Sequence, residues 1–489
     1  MERFLAGLEQ AIWSWPLLGL VLGTGIYLSV RLRGRPLRQL GRAMGLLLRS
    51  GGKTDGVSGF GALCTSLAAT VGTGNIVGVA SALALGGPGA LFWMDLSALT
   101  GMAVKYAEGF LAVRYRERRP DGSLHGGPFA YIRLGLGPRW SPLAKAFALC
   151  GAAAGILGVG TFVQIGSMSA GLRYFLDREL PDLPRTELFG RTVPVLLPGL
   201  AVLLGLGTGL LIRGGIRRIS RVSAVLVPGM GLLYLGGCLW ILVRFGSRLP
   251  AVCGQILRGA FRPEAAAGGL LATVQAGVSR GIFSNEAGVG TSAIAAACAE
   301  TEDPEEQGLI HMTSAVFDTL LICSLTGLAI LVAGVNPGEA GIWSAMEAFG
   351  RGLPLPETAG RGLVLVCLFL FAFTTVVGWS WYGTECLDAL TGGNARLRRS
   401  YLTVYTATVF LAPFVSVRAI WSAAGICNGL MAIPNLIAIL LLSPALRLDG
   451  RGIMGKKKEV RRGRKRCAAA LSGRPDRRLP QARGGRLHG

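Results

Sequence analysis

Long apolar segments, separated by short polar loops, run from residue 12 to residue 442 of the chain. We count roughly eleven of them, each near the ~20 residues that an α-helix needs to cross the hydrocarbon core of a bilayer. We number them spans 1 to 11, at 12–30, 60–85, 90–113, 143–172, 193–212, 222–243, 268–299, 310–332, 362–390, 401–415 and 420–442. The pattern predicts an all-α polytopic membrane protein with about 11 transmembrane helices.

Spans 2 and 7 are each interrupted by glycines and polar residues. The first break is GTGN at 72–75, and the second is GIFSNEAG at 281–288. Lipid cannot satisfy the backbone groups that a broken helix frees, so such breaks persist where they line a cavity or bind something. We therefore expect the two breaks to form the two halves of one binding site.

The two breaks lie five spans apart in the chain. An odd offset inverts the second unit, so spans 2–6 and 7–11 are predicted to be inverted five-helix repeats behind one extra amino-terminal helix. Broken helices at matching positions of inverted repeats are typical of secondary transporters, with the site near the bilayer midplane. Half-helix amino-termini favour a carboxylate, and freed carbonyls favour an ammonium group or Na⁺. The layout therefore indicates a small zwitterionic solute.

Arginine and lysine concentrate in alternate loops, after spans 1, 3, 5 and 9. The positive-inside rule places these loops in the cytoplasm, which puts the amino-terminus outside and the carboxy-terminus inside. We divide the chain into an amino-terminal span with its basic loop (1–58), a first repeat (59–245), a second repeat (246–446) and a basic tail (447–489). The tail is predicted to be disordered and to contact anionic lipid headgroups.

Composition excludes several classes of protein. Of the 489 residues, 51% are hydrophobic and 16% charged, whereas soluble domains carry about 25% charged residues. The net charge of +23 lies mostly in basic loops and the tail, so we expect no nucleic-acid partner. The ten cysteines show no paired spacing, and no nucleophile–base or metal-ligand cluster appears. We therefore predict neither an enzyme nor a bound cofactor.

Motifs around both breaks resemble the alanine/glycine:cation symporter family, the sodium:alanine symporters. The motifs are ALCTSLAATVGTGNIVGVASALALGGPGALFWM, GMAVKYAEGFLAVRYRE, HGGPFAYI, RGIFSNEAGVGTSAIAAACAET, QGLIHMTSAVFDTLLICSLTGL, FAFTTVVGWSWYG and NGLMAIPNLIAILLLS. The resemblance covers 12–442. It implies the 5+5 inverted repeat of the LeuT type, and import of L-alanine, glycine or sometimes D-alanine with Na⁺ across the bacterial plasma membrane.

The resemblance also implies which residues form the site. The implied substrate contacts are Thr73, Gly74, Asn75, Gln164, Phe283, Ser284, Asn285, Thr375 and Trp379. The implied Na⁺ ligands are carbonyl oxygens around Ala69 and Gly72 and the hydroxyls of Thr374 and Thr375. The indole of Trp379 is expected to wall off a small side chain, so that size exclusion selects alanine and glycine.

Some polar positions depart from the family's pattern. Gly425 stands where the family usually has Asp, and Asp95 where it usually has an aromatic residue. Two alternatives therefore stay open beside Na⁺ symport. One is H⁺ coupling, with Asp318, Glu286 or Asp95 as candidate carriers. The other is a non-transporting amino-acid sensor on the same scaffold.

Charged side chains inside apolar spans need partners or water, because an isolated charge near the bilayer centre is costly. Lys105 and Glu108 lie three positions apart in span 3, and we expect them to form an ion pair. Asp318 in span 8 is expected either to pair with a neighbouring helix or to bind a proton or cation.

Overall fold

The computed structural model describes residues 2–49, 57–120, 122–188, 191–261, 269–336, 341–414 and 417–446. The chain divides into a large unit, Met1–Ser443, and a second unit, Pro444–Gly489, of which 444–446 are described. The basic tail predicted at 447–489 therefore lies outside the described residues.

The described residues are overwhelmingly helical. Through the first half run α1 (Glu2–Ile12), α2 (Trp15–Arg31), α3 (Arg35–Arg38), α4 (Leu40–Arg49), α5 (Gly59–Thr70), α6 (Val77–Gly86), α7 (Gly89–Arg114), α8 (Pro128–Leu136), α9 (Ser141–Leu157), α10 (Phe162–Glu179), α11 (Leu196–Ile212), α12 (Gly215–Arg244) and α13 (Leu249–Phe261). The second half has α14 (Gly269–Asn285), α15 (Ser292–Ala297), α16 (Pro304–Ala315), α17 (Ser324–Val332), α18 (Trp343–Gly352), α19 (Glu357–Thr391), α20 (Ala395–Leu411) and α21 (Val417–Leu442).

Shorter elements join these helices. A π-helix occupies Val316–Cys323 between α16 and α17. Antiparallel hairpins pair β1 (Glu117–Arg118) with β2 (Leu124–His125) and β3 (Arg185–Leu188) with β4 (Arg191–Pro194). The 3₁₀ turns lie at Thr73–Asn75, Pro138–Trp140, Gly246–Arg248, Ala412–Phe414 and Ser443–Leu446.

Within the described part of the chain, five helical stretches are long and apolar enough to cross a membrane. They are Pro138–Glu179, Gly215–Arg244, Pro304–Val332, Glu357–Thr391 and Ile420–Leu446. Two bent pairs, Arg3–Ile12 with Trp15–Arg31 and Gly59–Thr70 with Thr73–Gly86, raise the number to seven if each pair is one span. Apolar side chains on α12, such as Val225, Leu232 and Val243, are highly exposed, as expected for a surface that faces lipid. The count of about eleven spans stays a prediction.

Local sequence explains where the site-bearing helices begin. Ser58 caps α5, since its hydroxyl oxygen accepts a hydrogen bond from the Gly61 amide at 3.0 Å. Asp303 caps α16 by accepting from the Glu305 amide at 2.9 Å. Pro304 follows this cap, at a position where a missing N–H costs nothing.

Both predicted breaks are present, although the second begins at Glu286 rather than at Gly281, because α14 continues to Asn285. Three other features escaped the apolar pattern. A separate helix, α1 (Glu2–Ile12), precedes the predicted span 1, and its polar side chains kept it out of the apolar pattern. Span 4 is broken between Leu157 and Phe162, where the glycines are predicted only to pack helices together. The π-helix inside span 8 is the third.

Small residues let the site-bearing helices approach closely. A Cβ built on Gly378 of α19 would lie 2.8 Å from the Cβ of Ala69 on α5. One built on Gly308 of α16 would lie 2.9 Å from the carbonyl oxygen of Tyr106 on α7. These contacts hold α19 against α5, and α16 against α7, on either side of the first break.

Candidate functional site

The first break lies between α5 and α6, whose axes are bent by 63°. The Gly72 amide donates to Asn75 Oδ1 at 2.9 Å, and the Thr73 amide donates to Gln164 Oε1 at 3.0 Å. Side chains thus satisfy two of the backbone groups that the break removes from the helix, as buried amides require. Gln164 reaches this turn from α10 and also donates to the Val159 carbonyl oxygen at 3.2 Å.

Gly72 is required at this turn by its neighbours. A Cβ there would lie 2.6 Å from Thr375 Oγ1 and 2.8 Å from Gln164 Oε1, which is closer than real atoms pack. The Thr375 hydroxyl donates to the Phe371 carbonyl oxygen at 2.9 Å and lies 3.4 Å from the Val71 carbonyl oxygen. The structure therefore brings predicted residues from α10 and α19 together at the first break.

The second break lies between α14 and α15. Its backbone enters the left-handed region three times, at Glu286 (φ +54°), Gly288 (φ +86°) and Gly290 (φ +91°). Glycine adopts this conformation freely, whereas for a residue with a Cβ, such as Glu286, it costs about 1–2 kcal/mol. Asn285 steadies the turn, since its Oδ1 accepts from the Ala287 amide at 2.8 Å.

One buried carboxylate joins the two breaks. Asp318 Oδ1 accepts from Asn75 Nδ2 at 2.9 Å, and Asp318 Oδ2 accepts from the Ser284 hydroxyl at 2.8 Å. The Thr319 hydroxyl also donates to Asp318 Oδ2 at 2.8 Å, and it accepts from Asn285 Nδ2 at 3.1 Å. Sequence reasoning marked Asp318 as a charge that needs a partner, but it did not predict contact with both breaks. The π-helix that carries Asp318 leaves no periodic pattern in the sequence.

The breaks also touch directly. A Cβ on Gly74 would lie 3.4 Å from Phe283 Cδ1 and 3.5 Å from Ser284 Cα, which is ordinary van der Waals contact. Thr73, Asn75, Ser284 and Asn285 are all buried. Among the described residues, the Thr73 hydroxyl has no hydrogen-bond partner. Because buried polar atoms are normally paired, this hydroxyl is free for a ligand.

Two predicted residues of α19 have other neighbours. The Thr374 hydroxyl donates to the Phe371 carbonyl oxygen at 3.0 Å and lies 3.7 Å from Met230 Sδ on α12. Trp379 packs edge-to-face on Tyr382, with ring centroids 5.8 Å apart. A Cβ on Gly160, in the break between α9 and α10, would lie 2.8 Å from the Trp379 Cβ. Trp379 thus stands one helical turn from Thr375, beside the break in span 4.

The predicted ion pair between Lys105 and Glu108 is wrong. Glu108 Oε1 instead accepts from the Gly288 amide at 3.0 Å and from Asn435 Nδ2 at 2.8 Å. Lys105 Nζ donates to the Ser292 hydroxyl at 2.5 Å. Both side chains of α7 therefore support the second break, whose irregular backbone offers polar groups that a regular helix does not.

The other acidic residues considered as proton carriers have partners of their own. Asp95 Oδ1 accepts from the Ser324 hydroxyl at 2.7 Å, which links α7 to α17. Glu286 Oε2 accepts from the Thr291 hydroxyl within the second break. Asp318 is distinguished from both by its contact with the two breaks at once.

An apolar cavity of about 350 Å³ lies beside α5 and α12. Its walls include Leu63, Leu67, Val227, Leu232, Phe317 and Ile322. It offers almost no polar surface, so it cannot offset the desolvation of a zwitterion's charges. The polar contacts between the breaks remain the candidate site.

Comparison with known proteins places this chain among transporters. The model of the sodium:alanine symporter family matches residues 1–460. An uncharacterized transporter of Haemophilus influenzae is 44% identical over 449 residues, covering 90% of this chain and 93% of that protein. The sodium/alanine symporter AgcS of Methanococcus maripaludis is 38% identical over 444 residues, covering 88% and 92%. The crystal structure of MhsT in complex with L-phenylalanine matches with a TM-score of 0.57 at 15% identity, covering 80% of this chain and 90% of that chain. The last likeness confirms the LeuT-type fold.

Proposed function

Because the chain belongs to the sodium:alanine symporter family, whose members are multi-pass membrane transporters and not enzymes, we propose that it imports L-alanine or glycine with Na⁺ by alternating access. The meeting of the two broken helices supports this proposal most directly. Gly74 contacts Phe283 and Ser284, and Asp318 accepts hydrogen bonds from both breaks. Sites of secondary transporters form where two such helices face each other.

The polar groups at the breaks suit an amino acid. The amino-terminus of α6 follows the first break directly, and the positive end of its dipole favours the substrate carboxylate. The carboxylate of Asp318 and the freed carbonyls favour the ammonium group. The free Thr73 hydroxyl adds one more polar contact. The proposed substrate set is Thr73, Gly74, Asn75, Gln164, Phe283, Ser284, Asn285, Thr375 and Trp379.

Close packing accounts for a small substrate. Only a van der Waals distance separates the position of a Gly74 Cβ from the Phe283 ring. We propose that the substrate side chain lies beside this contact, where a side chain larger than a methyl group has to displace the Phe283 ring, and overpacking a close-packed region costs about 1–3 kcal/mol. The proposal therefore covers glycine, L-alanine and D-alanine, and it excludes large side chains.

Na⁺ is proposed to lie between α5 and α19. The Thr375 hydroxyl and the Val71 carbonyl oxygen already lie 3.4 Å apart, and the Ala69–Gly378 contact holds the two helices together. Carbonyls of Ala69 and Gly72 and the hydroxyls of Thr374 and Thr375 complete the proposed set of hard oxygen ligands. Bound Na⁺ should tighten substrate, and substrate should tighten Na⁺ by the same factor.

The decisive assay is uptake of labelled alanine into proteoliposomes, with and without an imposed Na⁺ gradient. Accumulation that follows the gradient and collapses with a Na⁺ ionophore is expected. Uptake driven by a pH gradient without Na⁺ would instead favour H⁺ coupling, which the position of Asp318 makes the main rival. Alanine-dependent thermal stabilisation without any uptake would identify a sensor. We also propose that the amino-terminus lies outside the plasma membrane. Labelling of cysteines placed at each end of the chain tests this orientation.

Two asparagines test the position of the site. Asn75→Ala removes the amide that donates to Asp318 and the oxygen that accepts from Gly72, and Asn285→Ala removes the bond to Thr319. Each is expected to abolish or strongly weaken alanine binding while the protein still inserts. Asn394→Ala is the matched control, because Asn394 caps α20 far along the chain from both breaks. Near-normal uptake by both site variants would place the site elsewhere.

A further inference from the structure

We propose that Glu9, on the amino-terminal helix α1, is a positioning residue that holds Arg280 over the second break and so helps to close the path to the substrate. The role of Glu9 rests on the proposed transport function, whereas the choice of residues rests on the geometry of α1, α14 and α21. Among the described residues, the contacts recorded for the Glu9 carboxylate are with Arg280 and Gly425, so it acts on the proposed site through Arg280.

The carboxyl group of Glu9 fills the place of a missing side chain on α21. A Cβ built on Gly425 would meet the Glu9 carboxylate, with Cδ at 2.9 Å and Cγ at 3.0 Å. Trp13, just beyond α1, anchors this arrangement by donating from Nε1 to the Gly425 carbonyl oxygen at 3.0 Å. A one-carbon side chain at 425 would therefore point into the space that Glu9 occupies.

From Glu9 a chain of contacts leads to the second break. Glu9 Oε1 lies 3.8 Å from Arg280 Nη1, and Arg280 Cζ lies 5.3 Å from the centroid of the Trp421 ring. Trp421 packs on Phe283 with ring centroids 4.8 Å apart. Phe283 follows Arg280 by three residues on α14, so the cation and the ring lie on the same side of the helix.

Partial burial strengthens this pair. The side chain of Glu9 is 20% exposed and that of Arg280 is 16% exposed, so solvent screens their attraction less than it screens a surface pair. The Arg280 Nε atom has no hydrogen-bond partner among the described residues. Glu9 is the carboxylate paired with Arg280 among the described residues, so its loss would leave the guanidinium without an acidic partner there.

The pair couples α1, α14 and α21 beside the proposed site. Arg280 belongs to α14 and Trp421 to α21, and together they lie against Phe283 of the proposed site. Because α1 is fixed to α21 through Trp13 and Gly425, the attraction of Glu9 for Arg280 pulls α14 towards α21. Helix α1 therefore takes part in closing the path to the proposed site.

The test relocates the carboxylate from α1 to α21. Glu9→Ala is expected to raise the half-saturating alanine concentration about fivefold, at the upper end for a charge pair of limited burial. Gly425→Asp alone places a second carboxylate against Glu9 and is expected to lower uptake as well. The double variant, Glu9→Ala with Gly425→Asp, frees the space and supplies the charge from α21, so uptake should return to the wild-type level. Gln10→Ala, exposed on the same helix, should leave uptake unchanged.

Hydrogen exchange separates failure of this inference from failure of the transport proposal. Amide exchange in α14 and the second break, measured on purified protein without substrate, should accelerate in Glu9→Ala and recover in the double variant. This readout stands even if the wild-type protein accumulates no alanine. The inference is overturned if Glu9→Ala leaves both uptake and exchange unchanged. It is equally overturned if the double variant shows the summed defects of the single variants, since rescue requires that the two sites be coupled.

Discussion

Replacing Asp318 with asparagine removes a charge from the site with almost no change of shape. The new amide oxygen can still accept from Asn75 Nδ2, which now lies 2.9 Å from Asp318 Oδ1. The new amide nitrogen faces the hydroxyls of Ser284 and Thr319, which now donate to Oδ2 at 2.8 Å. Hydroxyls rotate and can accept instead. Every polar atom of the Asp318→Asn side chain therefore keeps a partner, and we expect the variant to fold.

The magnitude is set by the contact that a substrate ammonium group or a cation would make with Asp318. A hydrogen bond to a charged group contributes about 1.5–3 kcal/mol, and a neutral one about 0.5–1.5 kcal/mol. Replacing the carboxylate by an amide therefore costs about 1–1.5 kcal/mol of binding free energy, which corresponds to a loss of about fivefold to tenfold in affinity.

The assay measures alanine uptake at varied Na⁺ and varied alanine, together with the thermal unfolding of the same preparation. Asp318→Asn is expected to unfold near the wild-type temperature and to need far more Na⁺ or alanine for half-maximal uptake. Asp95→Asn is the matched control, because its carboxylate bonds to Ser324 and not to the breaks. Wild-type requirements for both solutes in Asp318→Asn would refute a functional charge. Failure to fold would refute the pairing described above.

Two further substitutions test the first break. Thr375→Ala should raise the Na⁺ concentration needed for half-maximal uptake more than the alanine concentration, because it removes a hydroxyl beside the Val71 carbonyl. Thr384→Ala is the control, since the Thr384 hydroxyl bonds to Ser380 of its own helix. An equal rise in both concentrations in Thr375→Ala would contradict the proposed Na⁺ position. Gly72→Ala should reduce uptake and lower stability by about 1–3 kcal/mol, as overpacking does, measured by thermal unfolding. Gly78→Ala is the control, because a Cβ at Gly78 has open space around it, and it should change neither uptake nor stability. If Gly72→Ala behaved like Gly78→Ala, the side chains around Gly72 would be able to make room for a Cβ, and the close packing of the first break would be refuted.

The two breaks were predictable from sequence because glycine and asparagine inside an apolar span contradict the rule that lipid-exposed backbone must be helical. Their pairing was predictable from topology, since an odd offset between similar elements inverts the second. The family motifs then supplied candidate side chains, and the structure brings Gln164 and Thr375 to the first break as the resemblance implied.

Features that depend on contacts between distant segments were not predictable. Lys105 and Glu108 looked like partners because the three-residue rule considers one helix alone, whereas the second break and the start of α15 give each a better partner. Glu9 precedes span 1 and no sequence motif singles it out, so only the packing of α1 on α21 reveals its position beside Gly425 and Arg280.

The π-helix at Val316–Cys323 also constrains how the length of this chain can vary. A π-turn holds one residue more than an α-turn and recurs at functional positions. Deleting one residue from this segment would let a regular α-helix form. The direction of the Asp318 side chain would then rotate around the helix axis by up to about 100°, the angle between consecutive residues. Asp318 would then turn away from Asn75 and Ser284, although every side chain around the breaks remained in the sequence. Insertions and deletions, which loops tolerate, are therefore as damaging here as the loss of the carboxylate itself.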